Sequence, residues 1–156
     1  MRTFEISSDL AAPPETVWQR VVTPEGINDE FVPLMRMTMP RRLRDTTIDG
    51  LPLGQRVGRS WLLLFGLIPV DYDDLALAEV EPGRRFLEQS TMLTHSRWQH
   101  ERIVEPRGVG CRLSDRLAWQ GRAEVFEMLY GVAVPILFRN RHRRLRKRFG
   151  AAISAR

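Results

Sequence analysis

"WQHERIVEPRGVGCRLSDRLAW", residues 98–119, consists of two alternating runs separated by the turn-forming residues 105–110. Alternation of apolar and polar side chains at a period of two is typical of a half-buried β-strand, and the Pro and Gly residues between the runs indicate a hairpin. His100 and Asp115 fall on the parity that carries the apolar residues of their runs. The hairpin therefore places a histidine and an aspartate on the face that turns toward the core. The apolar residues predicted to share this face are Trp98, Val104, Leu113, Leu117 and Trp119.

The length of the turn decides which residues of the two strands oppose each other. If Glu105 pairs with Gly110, His100 stands opposite Asp115, with Cβ atoms about 5 Å apart. An imidazole and a carboxylate at that separation can form a hydrogen bond. We expect either a buried polar pair that fixes the strand register, or a pair of polar groups that serves a site inside the domain. In the second case, His100 and Asp115 are the candidate catalytic acid–base pair.

The segments on either side of this hairpin predict the rest of the fold. Residues 2–10 alternate as a first strand, and Pro-containing start signals in residues 12–22 and 23–29 predict two short helices. Residues 36–121 carry successive strand patterns with short turns, which favours antiparallel pairing. Apolar side chains at helical spacing in residues 124–149 predict one long helix. The predicted fold class is α+β: a curved antiparallel sheet that grips a long C-terminal helix, with two short helices after the first strand.

A sheet that curves around a helix leaves a cavity between the two, and such cavities commonly hold small molecules. The apolar run at 61–68 is predicted either to line this cavity or to form an exposed patch that pairs with another subunit, so we expect a monomer or a homodimer. Arg102 is expected to meet a ligand carboxylate or to extend outward at the end of its strand. The candidate ligand-binding residues are Trp61, Leu63, Phe65, Trp98, His100, Arg102, Leu113, Asp115, Leu117, Leu129, Ala133 and Ile136.

The acidic run "DYDD" at 71–74 is the strongest candidate for a cation site, but it lacks the spaced acceptors of a calcium loop. We interpret it as a polar turn between the third and fourth strands. No His or Cys pair elsewhere has the spacing of metal ligands. We therefore expect neither a metal nor a cofactor.

The composition suits one cytoplasmic domain that spans residues 1–156. Hydrophobic residues make up 43% of the chain and charged residues 28%, which is ordinary for a globular protein. The single cysteine excludes an internal disulfide bond. The first ten residues lack the apolar core of a signal peptide, and the apolar runs are too short to span a bilayer.

The net charge of +5 is concentrated in residues 139–148, which contain seven Arg or Lys residues. We interpret this segment as the solvated end of the long helix, where cations oppose the negative end of the helix dipole. The alternative is an interaction module that uses the segment on nucleic acid or on an anionic membrane surface. No known nucleic-acid motif accompanies the segment, so peripheral membrane contact is the version of this alternative that we retain.

Four stretches of the chain resemble the START-related SRPBCC superfamily, whose helix-grip fold occurs in polyketide cyclases and lipid-carrying domains. These stretches are residues 12–18, 79–86, 98–115 and 136–150. The third, with Trp-x-His in one strand and Asp in the next, is similar to a pattern of bacterial ligand-binding members, although Cys111 stands where threonine is expected. The resemblance implies that a small hydrophobic ligand, such as a lipid, polyketide or isoprenoid-like molecule, binds between sheet and helix. The enzymatic alternative is a cyclase- or dehydratase-like reaction that uses His100 and Asp115.

Overall fold

The computed structural model describes residues 1–152, which form seven strands and three α-helices. The strands are β1 (Arg2–Leu10), β2 (Met35–Met37), β3 (Arg56–Leu64), β4 (Ile68–Glu81), β5 (Arg85–Met92), β6 (His95–Arg107) and β7 (Gly110–Gly121). The helices are α1 (Pro14–Val21), α2 (Pro24–Phe31) and α3 (Glu124–Phe149), and short 3-10 turns occupy Arg41–Leu43 and Ile48–Gly50.

The strands form one curved antiparallel sheet in the order β1-β7-β6-β5-β4-β3-β2. Strands β1 and β2 form the two edges of the sheet, and β1 pairs with β7 over its whole length. Helix α3 packs across the concave face against β1, β7 and α2. The predicted α+β helix-grip fold is confirmed, including the two short helices after β1 and the bounds of the long helix.

The start of α2 shows how local sequence sets these bounds. Thr23 has extended backbone angles, and its hydroxyl accepts a hydrogen bond from the backbone N–H of Gly26 at 2.9 Å. Pro24 follows at the first helical position, where its missing N–H costs nothing. The chain therefore begins a second helix directly after α1, which brings Glu30 and Phe31 toward α3.

The register of the β6–β7 hairpin differs by two residues from the prediction. Arg107 pairs with Gly110 across a two-residue turn, in which Gly108 has a φ of 58°. Glycine adopts this left-handed conformation without a Cβ clash, which favours the tight turn. Arg102 therefore stands opposite Asp115, and His100 stands opposite Leu117. A shift of two residues keeps every side chain on its predicted face, because strand side chains alternate with a period of two.

Two other predictions in the strand region are wrong. The strand pattern predicted from residue 36 onward ends at Met37, because the chain turns into a 3-10 helix after Pro40. The acidic run 71–74 is not a turn but part of β4; the chain turns at Phe65 and Gly66, both with positive φ. Among residues 1–152, no helix combines the length and the hydropathy that crossing a bilayer requires.

Candidate functional site

A cavity of about 410 Å³ lies between the sheet and α3. Helix α2 and the segment that follows β2 also line the cavity, through residues such as Ile27, Phe31 and Leu43. Most of the lining is aliphatic, aromatic or thioether, so the interior is apolar with a few polar side chains. The apolar lining includes Val21, Ile27, Phe31, Met35, Met37, Met39, Leu43, Ile48, Leu51, Leu62, Leu64, Leu75, Phe86, Met92, Trp98, Val134, Leu137 and Phe138.

The rim of the cavity is marked by lining residues that are also open to solvent. Val70 near the start of β4 is 43% exposed, and Leu129 on α3 is 58% exposed. Ala133, one helical turn beyond Leu129, also lines the cavity and is exposed. The entrance is therefore bounded by the start of β4 and the first half of α3.

Asp115 lies beneath the cavity wall and is fully buried. Its Oδ1 accepts from His100 Nε2 at 2.8 Å and from Arg102 Nε at 2.7 Å. Its Oδ2 accepts from Arg102 Nη2 at 2.8 Å and from His142 Nε2 at 2.9 Å. Burial by itself would raise the pKa of this carboxyl, but the Arg102 guanidinium and His100 hold the pKa well below its usual value. The carboxylate is charged and its oxygens are occupied.

His142 connects this carboxylate to the neighbouring edge strand β1. Arg146 donates to Ser8 Oγ at 2.8 Å, and Ser8 Oγ lies 2.8 Å from His142 Nδ1. Since the Asp115 carboxylate can only accept, His142 donates to it from Nε2. These contacts give His142 a structural role that joins α3 to β1 and β7.

Arg102 is fully buried and links Asp115 to α2. Its Nη1 and Nη2 donate to the two carboxylate oxygens of Glu30 at 2.8 and 2.9 Å, and Arg141 on α3 donates to Glu30 at 2.8 Å. Burial has the largest single effect on the Glu30 carboxyl and would raise its pKa. The two arginines together outweigh burial, so the pKa is lowered. Two carboxylates and two guanidiniums thus balance in charge. Neither expected role of Arg102, ligand contact or outward extension, agrees with this position.

Asp73 and Glu88 form a second acidic group, and these two side chains line the cavity. They lie on the adjacent strands β4 and β5, with exposures of 5% and 6%. Burial first, and then the neighbouring Glu88 carboxyl, raise the pKa of Asp73 well above its usual value. Ser90 donates to Glu88 Oε1 at 2.7 Å, whereas Asp73 Oδ1 is buried and has no hydrogen-bond donor among residues 1–152.

Tyr130 is held at the cavity by a third polar group centred on Asp71. The phenol donates to Asp71 Oδ2 at 2.5 Å, and the Thr94 hydroxyl donates to the same oxygen. Burial and the adjacent carboxylate raise the pKa of Tyr130. The ring of His95 stacks near that of Tyr130, with centroids 3.9 Å apart, and burial lowers the pKa of this histidine. These contacts fix Tyr130 in the wall with its hydroxyl proton already committed.

The predicted ligand-binding residues divide into three groups. Those that line the cavity are Trp98, His100, Leu129 and Ala133. Those that lie in the core or the buried ionic group beneath the wall are Arg102, Leu113, Asp115 and Leu117. Those outside the lining, on the outer face or the rim, are Trp61, Leu63, Phe65 and Ile136.

On β3, the set of alternate residues predicted to face the cavity was the wrong one. Leu62 and Leu64, not Leu63, turn toward the cavity, and Phe65 lies in the β3–β4 turn with 62% exposure. Because this run is apolar at consecutive positions, alternation carries no information about its faces. On α3, Ile136 is 53% exposed, since it lies on the helix face turned away from Val134 and Phe138.

The candidate catalytic pair is close in space, but only one member reaches the cavity. His100 lines it, packed edge-on against Phe86 and Phe138 with ring centroids 5.3 Å apart in each case. Asp115 is absent from the lining, and its oxygens are held by three side chains. Asp115 can therefore orient the imidazole, whereas His100 alone can contact a molecule inside.

Sequence reasoning missed the acidic residues of the site. Glu88 alternates with Phe86, Ser90 and Met92, which are all buried on β5, so parity was an available signal. Asp73 was hidden by its place in a run that was interpreted as a turn. Glu30 follows from no local pattern, because its partners lie 72 and 111 residues away.

The basic segment 139–148 is engaged largely with the protein itself. Arg141 and His142 are buried, Arg144 and Arg148 pair with Asp29, and Arg146 donates to Ser8. Three of its seven cationic side chains, Arg141, Arg144 and Arg148, therefore pair with carboxylates of the protein itself. Contact with an anionic membrane stays a prediction.

A family model described as "Domain of unknown function (DUF8410)" matches residues 8–149. No curated protein matches the sequence significantly. Solved structures with the same fold include a protein of Chromobacterium violaceum, with 16% identity, a TM-score of 0.68, and coverage of 97% of this chain and 100% of that chain.

Two further structures of the same fold have descriptive names. A START superfamily protein of Mycobacterium smegmatis has 13% identity and a TM-score of 0.63, with coverage of 93% of this chain and 97% of that chain. The Zhui aromatase/cyclase of a Streptomyces species has 17% identity and a TM-score of 0.67, with coverage of 94% and 92% respectively. At these identities the likeness concerns the fold alone, and it agrees with the helix-grip architecture that the resemblance implied.

Proposed function

The chain belongs to the family described as a domain of unknown function, DUF8410, and we propose that it binds a small, mostly apolar ligand in the cavity between the sheet and α3. The observation that carries the proposal is the cavity itself. Its volume of about 410 Å³ falls within the usual range of small-molecule sites. A long apolar wall with polar groups restricted to a few positions fits a lipid-, polyketide- or isoprenoid-like molecule.

An exposed apolar rim supports the proposal. Val70 and Leu129 line the cavity and are also exposed to solvent, so an apolar molecule would contact an apolar rim before it enters. Deeper in, Phe86 and Phe138 flank His100. The apolar part of a ligand would therefore replace water along most of the cavity, which favours binding through the hydrophobic effect.

Binding of octan-1-ol, measured by isothermal titration calorimetry, tests the proposal. Ala133→Trp places a large side chain at the rim and should weaken binding at least about tenfold. Val132→Trp is the matched control, because Val132 is the neighbouring exposed residue on α3 and does not line the cavity. Equal affinity of both variants and the wild-type protein, or no binding of octan-1-ol to any of them, would contradict the proposal.

A cyclase- or dehydratase-like reaction is the second candidate, and the position of His100 favours it. This imidazole lines the cavity and is held by Asp115, so it can exchange a proton with a bound molecule while the carboxylate keeps it oriented. The test is dehydration of a 3-hydroxyacyl thioester, followed by the absorbance of the enoyl product. A rate that equals the uncatalysed rate, or that survives His100→Phe unchanged, excludes this role.

A further inference from the structure

We propose that Asp73 and Glu88 form an acidic end of the cavity that selects apolar ligands carrying an aliphatic ammonium group. The inference rests on the proposed function, because it names the polar part of the ligand that the same cavity would hold. It is carried by two buried carboxyls that face an apolar space, one of them with an oxygen that no donor among residues 1–152 reaches.

The arrangement of donors shows what this end of the cavity lacks. The hydroxyl of Ser90 accepts from the backbone N–H of Ala76 at 3.1 Å and donates its proton to Glu88 Oε1 at 2.7 Å. Its donor capacity is thereby used. Asp73 Oδ1 is left with no donor among the described residues, although Asp73 is 95% buried and lines the cavity. Buried polar atoms are rarely left in this state, so the position requires a proton or an external donor.

The other charged groups around the cavity do not supply that donor. Tyr130 commits its proton to Asp71, which neighbours Asp73 on β4 and adds negative charge. Arg141 donates to Glu30, and its guanidinium lies 4.6 Å and 4.8 Å from the ring centroids of Phe31 and Phe138.

His100 is the remaining cation-forming group near the pair. Its Nε2 is bound to Asp115, and its Nδ1 lies 3.8 Å from Glu88 Oε2, beyond hydrogen-bond range. Asp73 forms no ion pair with any described residue. Within residues 1–152, Asp73 thus lacks a cationic partner, whereas Glu88 faces the His100 imidazole at 3.8 Å.

The chemistry of the empty and occupied states follows from this charge. Without a ligand, two adjacent buried carboxyls retain one proton between them, because both cannot ionise in a medium of low polarity. An alkylammonium ion brings a positive charge and three N–H donors, enough for Asp73 Oδ1 and for Glu88. When it binds, the carboxyl O–H bond breaks, the electron pair stays on the carboxylate oxygen, and the proton leaves to solvent. A neutral alcohol offers one donor and no charge, so it matches the acidic pair less well. A fatty acid would place a third carboxyl group beside Asp73 and Glu88.

Three ligands with one alkyl chain test the inference with the full chain: octylamine, octan-1-ol and octanoate at pH 7. Octylamine should bind about tenfold or more tightly than octan-1-ol, and octanoate should bind most weakly. Calorimetry in two buffers of different ionisation enthalpy should show that proton release accompanies octylamine alone. The affinity for octylamine should rise with pH as the shared proton becomes easier to remove.

Asp73→Asn should abolish the proton release and should lower the octylamine affinity about tenfold or more relative to the octan-1-ol affinity of the same variant. Asp74→Asn is the matched control, because the adjacent aspartate points to the other face of β4 and does not line the cavity. Equal affinity for amine and alcohol, or equal effects of the two variants, would overturn the inference and leave the proposed function standing. A preference for octanoate would also overturn it and indicate Arg141 as the polar end. If none of the three ligands binds, both this inference and the proposed function are contradicted.

Discussion

Arg102 and Asp115 stand directly opposite each other on β6 and β7 and form a two-point ion pair, with Nε 2.7 Å from Oδ1 and Nη2 2.8 Å from Oδ2. Both residues are fully buried. Because the same guanidinium also binds Glu30, one side chain joins the hairpin to α2 beneath the cavity. The wall of the proposed binding site therefore depends on a charged group that the ligand never touches.

Replacing Arg102 should expose how much of the fold depends on this group. Arg102→Met removes the cation and leaves Asp115 and Glu30 buried with fewer partners, so the free energy of unfolding should fall by about 3–5 kcal/mol. Urea denaturation at pH 7 measures the change. Arg116→Met is the control, since Arg116 also contacts two carboxylates but on the solvent face of the same hairpin. Losses of similar size in the two variants would contradict the role given to Arg102.

His100 should contribute less to stability than Arg102. His100→Phe removes one of the donors to Asp115 but retains the two hydrogen bonds from Arg102 and the one from His142. A hydrogen bond to a charged group contributes about 1.5–3 kcal/mol, so the loss should be of that order. Gln99→Phe adds the same side chain on the opposite face of β6 and serves as the control. An unchanged midpoint of urea unfolding for His100→Phe would show that Asp115 does not need this donor.

Acid should destabilise the protein through Asp115. Its folded-state pKa is lowered from the usual 3.8, so its ionisation stabilises the fold above the unfolded-state pKa, and this contribution is lost as the pH falls through the folded-state pKa. Asp115→Asn cannot titrate at this position. The decrease in unfolding free energy between pH 6 and pH 3 should therefore be smaller in the variant than in the wild type. Equal decreases, measured by urea denaturation at each pH, would exclude Asp115 as a main source of the acid sensitivity.

Asp73 should act in the opposite direction. Its folded-state pKa is raised, so its stabilising protonation is complete below the unfolded-state pKa and is lost as the pH rises through the folded-state value. Asp73→Asn removes this loss, and at pH 8 the ligand-free variant should be about 1–3 kcal/mol more stable than the wild type. The advantage should shrink as the pH approaches 4. A variant that is less stable at pH 8 would show that the ionised carboxylate has a partner that the structure does not reveal.

The faces of the β6–β7 hairpin and the bounds of α3 were predictable, whereas the hairpin register, the cavity face of β3 and the acidic site were not. The alternation in residues 98–119 placed His100 and Asp115 on the inner face, and the apolar spacing of residues 124–149 gave the bounds of α3. The predicted register was wrong because the sequence pattern did not distinguish a two-residue turn around Gly108 from a four-residue turn. Even so, His100 reaches Asp115 diagonally, because neighbouring same-face positions lie within reach of long side chains.

The acidic site escaped prediction for physical reasons that sequence patterns do not carry. Asp71 and Asp73 are buried on β4, where local propensity favours apolar side chains and acids usually indicate turns. Asp71 is buried with Tyr130 of α3 as a donor, and Asp73 is buried beside the Glu88 carboxyl of β5. These contacts arise only after the sheet has curved around α3, so no local window contains them.

The most direct test of the central claim is a crystal structure of the protein grown with 8-bromooctan-1-ol, in which the anomalous signal locates the bromine atom. A bromine position inside the cavity, among Leu75, Met92 and Phe138, is the result that the proposed binding function predicts. The Ala133→Trp protein, crystallised in the same way, should lose that signal. Bromine found only at exposed apolar residues such as Leu67 or Val109, with the cavity unoccupied, would contradict it.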